Sequence, residues 1–255
     1  MSPEELIERL LYRDGLLLVI NKPAGLPVHR GPKGGESLED SFDGLRFGLP
    51  RSPGLAHMLD RDTSGCLVLG RHRKALEKVG LLFKQSKIDK TYWAVVEGHV
   101  PEDHGFIDLP LGRLDAQRGW WMKVDPAGLP SQTRWSVMGR GQGPAGEPIT
   151  WLALSPITGR THQLRVHCTA MGWSIVGDPI YGSGPRHFGE GLGELSLQLH
   201  ARKIVIPMSK NKEPIVVEAP IPDHMVARMS ACGWTLEMDT SLVRADQKAL
   251  DRNDA

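Results

Sequence analysis

With 255 residues, 40% of them apolar and 24% charged, the chain can bury a full hydrophobic core and has the balance of an ordinary soluble protein. It has no run of about 18 apolar residues, which argues against a helical membrane span; LLLVI at 16–20 is too short for one. The net charge of +1 does not announce a blanket nucleic-acid binder. The opening segment, MSPEELIERLLYRDG, carries acids and lacks the cationic start and cleavage site of a secretion signal, so a cytoplasmic location is expected.

In chain order, residues 4–11 read as a short amphipathic helix or turn, and LLLVINKPAG at 16–25 as a strand ending in a Pro/Gly turn. HRGPKGGE at 29–36 is a loop by composition, and SLEDSFDGLRFG a short helix capped by Ser37. CLVLG from Cys66 is a buried strand. Ala75, Leu76, Val79, Leu82 and Phe83 then recur at helical spacing, and TYWAVVEG at 91–98 is β-branched and aromatic, hence a strand. Residues 101–148, rich in Gly, Pro and charge, predict short strands and long turns. ITWLALSP, LQLHARKIVIP and PIVVEAP are further strands, the last two ended by Pro207 and Pro220. Many strands and few helices predict an α+β fold with a mixed, mostly antiparallel central sheet flanked by helices and loops. We expect one domain over 1–235 and a polar tail over 236–255 that reads as either a terminal helix or a disordered segment.

Cys66, Cys168 and Cys232 lie far apart and give neither metal-ligand spacing nor an even disulfide framework, and Cys66 and Cys168 read as small core residues. Between Arg71 and Lys90 seven basic residues stand against two acids, a local net charge of +5 that suits phosphate contacts or a solvated helix face. HMLDRDTSG at 57–65 sets Asp60 and Asp62 directly ahead of the CLVLG strand. Such a carboxylate can be a nucleophile, a base or a metal ligand, or can merely shape a turn, the reading favoured for Asp62. A D-x-D-x-T phosphotransferase would place its strand before the acids, not after them. In SPITGRTHQLRVHCTAMG, Thr161 is a candidate N-cap and Gly172 a candidate C′ residue. Leu164, Cys168 and Met171 share an apolar helix face, and His162 and Arg165 lie about 60° apart on another, presented outward. His167 falls near the apolar side as a core or hydrogen-bonding residue. His162 and His167 sit about 140° apart, too far around the helix to share a zinc ion. Tyr92, on its strand, is either core or a stacking plate for a base.

Taken together, NKPAGLPVH, HMLDRDTSG, KTYWAVVEG, TGRTHQLRVH…GDPIYG and LQLHARKIVIP resemble, in order, the motifs of the RluA-type pseudouridine synthases, over about residues 12–220. The resemblance implies an isomerase that turns specific uridines of ribosomal or transfer RNA into pseudouridine, without metal or organic cofactor. It implies Asp60 as the essential nucleophile or base, Tyr92 stacked on the target uracil, and Arg165 paired with Asp60. Leu164 would line the pocket, and His57, Met58, Arg61 and Arg71 would contact substrate. The family commonly has Arg where this chain has Met58. Met58 could wedge into the vacated base stack, with Arg61 or Arg71 supplying the missing charge. About 11 residues precede the first matching segment, so target recognition is expected from the catalytic domain itself, including the loops at 29–50 and 101–148 and Trp120 and Trp121 with Arg113, Arg118 and Lys123. A monomer is the simplest expectation. The rival readings are an RNA-binding or RNA-folding protein with an inactive site, and a phosphoryl-transfer enzyme using Asp60.

Overall fold

The computed structural model describes residues 1–31, 34–115, 120–182 and 196–239. The chain forms two compact units, each assembled from separated segments: 1–90, 201–221 and the C-terminal residues from 236 in the first, 91–200 and 222–235 in the second.

The first unit opens with α1 (Pro3–Glu8), where Ser2 and Glu5 cap each other reciprocally and Pro3 fixes the first turn. The chain turns at once into β1 (Leu10–Arg13), so the segment read as helix or turn to residue 11 is shorter as a helix and already strand at its end. β2 (Leu17–Lys22) pairs antiparallel with β1. A 3₁₀ helix (Leu38–Leu45) follows Ser37, as the cap pattern predicts. β3 is the short Gly54–Leu55, and β4 (Ser64–Gly70) is buried along its whole length. β4 takes β2 antiparallel, Val19 opposite Val68, and β3 at its end, Leu55 opposite Leu69. A strand with neighbours on both edges and cover on both faces reads as a continuous apolar run, which is why CLVLG shows no alternation. α2 (Arg73–Lys84) is capped by His72, whose Nδ1 accepts from the Ala75 amide, and it buries Ala75 and Val79. Lys74, Lys78, Lys84 and Lys87 stay exposed.

The second unit begins with β5 (Asp89–Glu97). The region read as short strands and long turns holds β6 (His104–Asp108), the hairpin of β7 (Leu111–Arg113) and β8 (Met122–Val124), and the longer β9 (Gln132–Gln142). While β7 and β8 form a separate two-stranded sheet, β10 (Pro148–Pro156) joins β5, β9 and β6 in an antiparallel array ordered β5-β10-β9-β6. α3 (Gln163–Ala170) packs on it, its Leu164 and Cys168 joining Ala94, Leu152, Leu154 and Trp173 in one core. Gly172 ends α3 at φ +87°, the left-handed C′ position expected of it.

β11 (Leu199–Ile206) and β12 (Ile215–Glu218) pair antiparallel and return the chain to the first unit, where Ile204, Ile206 and Val217 pack against Leu17, Val19 and Val68. α4 (Asp223–Ala231) belongs to the second unit and was not foreseen. Its C-terminal end lands on bare strand: a Cβ at Gly139 or Gly141 of β9 would come within 1.8 or 2.0 Å of the Cys232 or Ala231 carbonyl oxygen. Of the tail, Asp239 pairs with Arg202 at 2.7 Å and accepts from the Ile221 amide; residues 240–255 lie outside the described residues. Among the described residues no helix is long and apolar enough to cross a membrane.

Gly65 sits at φ +105°, where a Cβ would meet the Ala201 carbonyl oxygen at 2.3 Å. Gly65→Ala is therefore expected to combine backbone strain with overpacking and to cost about 2 kcal/mol or more, read as a lower urea midpoint at unchanged slope.

Candidate active site

In the first unit two turns are clasped together. Lys22, at the end of β2, is completely buried, and its Nζ donates to the carbonyls of Pro23 at 2.8 Å, Arg61 at 2.8 Å and Thr63 at 2.9 Å. In return Arg61, whose side chain is largely exposed, donates from Nε to the Gly25 carbonyl at 2.9 Å, and the same Nε lies 3.8 Å from Asp62 Oδ1. The Thr63 amide closes the second turn onto the Asp60 carbonyl at 3.2 Å. Asp60 is half-buried between buried Leu59 and the buried pair Thr63 and Ser64. Asp62 lies in the same turn.

Three neighbouring residues divide by where they face. Met58 is 55% exposed, as an apolar wedge must be. His57 turns inward: its Nε2 accepts from the Val68 amide at 3.1 Å, and its ring stacks on Phe83 at 4.7 Å. Burial, with the Lys90 charge added, pushes its pKa down to about 3, against the Met58 backbone, which favours the protonated ring. The folded ring is neutral where an unfolded one, near 6.5, takes up a proton. This contribution to stability is thus complete above about pH 6.5 and is lost as pH falls toward 3. His57→Gln is expected to flatten that part of the acid-unfolding curve, measured by circular dichroism between pH 3 and 7. Arg71 braces the fold: Nη1 donates to the Asp14 carbonyl at 2.7 Å and Nη2 to those of Phe47 and Arg46.

In the second unit the expected helix face differs from the structure. Arg165 and His162, read as presented outward, are both buried, because α3 is covered on nearly every side from Gln163 to Cys168. Arg165 offers the Nε–Nη2 edge of its guanidinium to Asp178, both contacts being 2.7 Å, with the two side chains 3% and 1% exposed. Asp178 Oδ1 also accepts from the Ile180 and Tyr181 amides. Burial alone would raise the Asp178 pKa; the hydrogen bonds and charge of Arg165, then the two amides, outweigh it and hold the carboxyl below its usual range. The Arg165 guanidinium also lies over the Tyr181 ring, 5.2 Å from its centroid. The Tyr181 hydroxyl accepts from the Met122 amide at 2.9 Å and meets His162 Nδ1 at 2.8 Å.

His162, not Thr161, is the residue before α3, held at φ +52°. Gln163 locks that start: its Nε2 donates to the Gln132 carbonyl and to Thr133, and its Oε1 accepts from Thr158 and the Arg160 amide. His167 is wholly buried between Thr133 Oγ1 and the Leu109 carbonyl, the hydrogen-bonding role expected of it. Burial pushes the Cys168 thiol up to about 12, which leaves it a core residue. Tyr92, opposite Leu154 on the β5–β10 pair, is half-buried against the core that holds Leu164. Trp121 is buried. Trp120 is 56% exposed and meets His162 edge-on at 5.4 Å, while Arg118 lies outside the described residues.

The units thus supply a carboxylate on a clamped turn, an aromatic ring on a core strand and a buried, carboxylate-braced guanidinium. The sequence profile described as RNA pseudouridylate synthase matches residues 16–170, a span that contains Asp60, Tyr92 and Arg165. An uncharacterised RNA pseudouridine synthase of Zymomonas mobilis is 41% identical over 219 residues, covering 85% of this chain and 95% of its own. A ribosomal large subunit pseudouridine synthase C of Vibrio parahaemolyticus is 34% identical over 227 residues, 87% of this chain and 68% of that protein. Among solved structures, human RNA pseudouridylate synthase domain containing 1 superposes with a TM-score of 0.73 at 29% identity, over 96% of this chain and 97% of its own. The chain belongs to the RNA pseudouridylate synthase family. Within it the chain is of the RluA type: an RNA pseudouridine synthase, an isomerase acting on RNA.

Proposed function

We propose that the protein converts specific uridines in structured ribosomal or transfer RNA to pseudouridine, with Asp60 as the nucleophile or base and with no cofactor. The observation that carries this is the placement of Asp60. Half-buried Asp60 stands on a turn held through two of its carbonyls by a buried ammonium, directly ahead of a fully buried strand. Tyr92 stacks on the uracil, Leu164 lines its pocket, and Arg165, held in orientation by Asp178, serves as the cation for Asp60. A uridine in a paired stem must leave its stack, at a cost of a few kcal/mol. Stacking on an aromatic ring, about 1–3 kcal/mol, offsets part of that. Exposed Met58 fills the vacated stack, and Arg61 and the exposed lysines of α2 meet phosphates. Arg71 and His57 contribute by bracing the substrate-facing loops.

The test is to map pseudouridine across all stable RNAs from cells with and without the gene, then to restore the missing site in vitro with purified protein in a chelator. A site that disappears names the target, and its chelator-resistant restoration sets aside metal-dependent phosphoryl transfer. An unchanged map would reject the reading.

A further inference from the structure

Two tryptophans stand side by side where β8 begins, and the fold uses only one of them as core. Trp121 is buried, whereas the indole of Trp120 is 56% exposed. Among the described residues both ring contacts of Trp120 are edge-on, to Trp121 at 5.6 Å and 81° and to His162 at 5.4 Å and 88°. Two nearly perpendicular neighbours hold an indole without lying flat on it. The mount is firm. His162 is buried, its Nδ1 meets the Tyr181 hydroxyl at 2.8 Å, and that hydroxyl accepts from the Met122 amide of β8 at 2.9 Å. The hairpin and the start of α3 are thus tied into one scaffold. A series of ring contacts runs inward from Trp120 through His162 to Tyr181, 5.5 Å further on, and ends at the Arg165 guanidinium, 5.2 Å from the Tyr181 centroid. Charge on the hairpin is balanced: among its described residues Arg113 and Lys123 are offset by Asp115 and Asp125. With no net charge there to attract phosphate, what this surface presents to RNA is an aromatic plate.

We propose that Trp120 is a stacking site for an unpaired RNA base that flanks the reacting uridine. The proposal rests on the reading of Arg165 as part of the reaction centre. Extruding a uridine takes a stacking partner from the bases on either side of it. An exposed indole on a fixed mount replaces that partner, and does so for any base, since each has a π face.

The experiment is fluorescence anisotropy of dye-labelled oligouridylate, and of the same strand with abasic riboses throughout, binding to the full chain, to Trp120→Ala and to Trp120→Phe. Loss of one stacking plate is expected to weaken oligouridylate binding by roughly 5- to 150-fold in Trp120→Ala, with Trp120→Phe recovering most of it. The slope of log Kd against log salt should not change, because no phosphate contact is removed. All three proteins should hold the abasic strand alike. A Trp120→Ala affinity for oligouridylate within about twofold of wild type overturns the proposal. So does an equal loss on the abasic strand, a shallower salt slope, or a wild type that does not prefer oligouridylate to the abasic strand. The flanking position is read on the RNA that the pseudouridine map identifies, with one abasic nucleotide set in turn on each side of the target. At one of these positions the difference between wild type and Trp120→Ala should vanish, and a difference that persists at all of them overturns the assignment. A protein that binds as expected but converts no RNA counts against the function reading alone, since the oligouridylate measurement needs no turnover.

Discussion

Asp60→Ala is expected to abolish pseudouridine formation, lowering the single-turnover rate by at least about 10⁴-fold, the scale on which an essential reacting group is lost. The protein should remain folded and bound to its RNA. The turn is held by backbone carbonyls and by Lys22, none of which the substitution removes. Asp60→Asn, which keeps shape and removes charge, should be as inactive, because the role proposed for Asp60 needs an ionised oxygen. Retained product formation in either variant would move the reaction to another group. Retained binding without any wild-type turnover would instead favour the reading of an RNA-binding protein with a defunct site.

The second large effect concerns Asp178. Its carboxylate holds both oxygens against Arg165 and accepts two amides besides, and both side chains are almost wholly buried. Removing one partner of such a pair strands the other as an uncompensated buried charge, at about 3–5 kcal/mol. Asp178→Ala is therefore expected to lose that much stability in urea unfolding. Arg165→Met combined with Asp178→Leu should recover a large part of it, because the desolvation cost of both ions disappears. The double variant should still be inactive, which separates the pair's contribution to stability from the part in the reaction proposed for the guanidinium. A loss below about 1 kcal/mol for Asp178→Ala would show that water replaces the carboxylate. The pair's pH response has a definite sign. The Asp178 carboxyl lies below its usual range, so its contribution is present above an ordinary carboxylate pKa and disappears as pH falls through its own lower value.

What sequence reveals here follows from how local each feature is. The strands at 17–22 and 64–70 announce themselves because their stretches 17–20 and 66–69 are buried on both faces and therefore form continuous apolar runs. The turn bearing Asp60 is legible because its residues are turn formers next to such a run. α4 left a signal that was missed: Met225 and Met229 four apart, Asp223 in the first turn, and Gly233 just past the end. Lys22 and Asp178 are of another kind. A lysine before Pro-Ala-Gly reads as a solvated turn residue, and only the fold brings it under a segment some 40 positions away. Asp178 lies in GDPIYG, which reads as a turn, and its partner is 13 residues back on a helix. Helical phase places Arg165 off the apolar seam but says nothing of what covers that side.

The interleaving of the two units has a consequence for biosynthesis. Leu17, Val19 and Val68 need Ile204, Ile206 and Val217 to complete their core, and the strand at 132–142 needs the Ala231–Cys232 backbone against its glycines. On a ribosome adding about 5–20 residues per second, the first 90 residues wait on the order of ten seconds for the strand that closes them. No single cut can free either half as a complete folding module. The nascent polypeptide therefore exposes oily surface throughout most of translation, and chaperone depletion should reduce its soluble yield more than its finished stability would suggest.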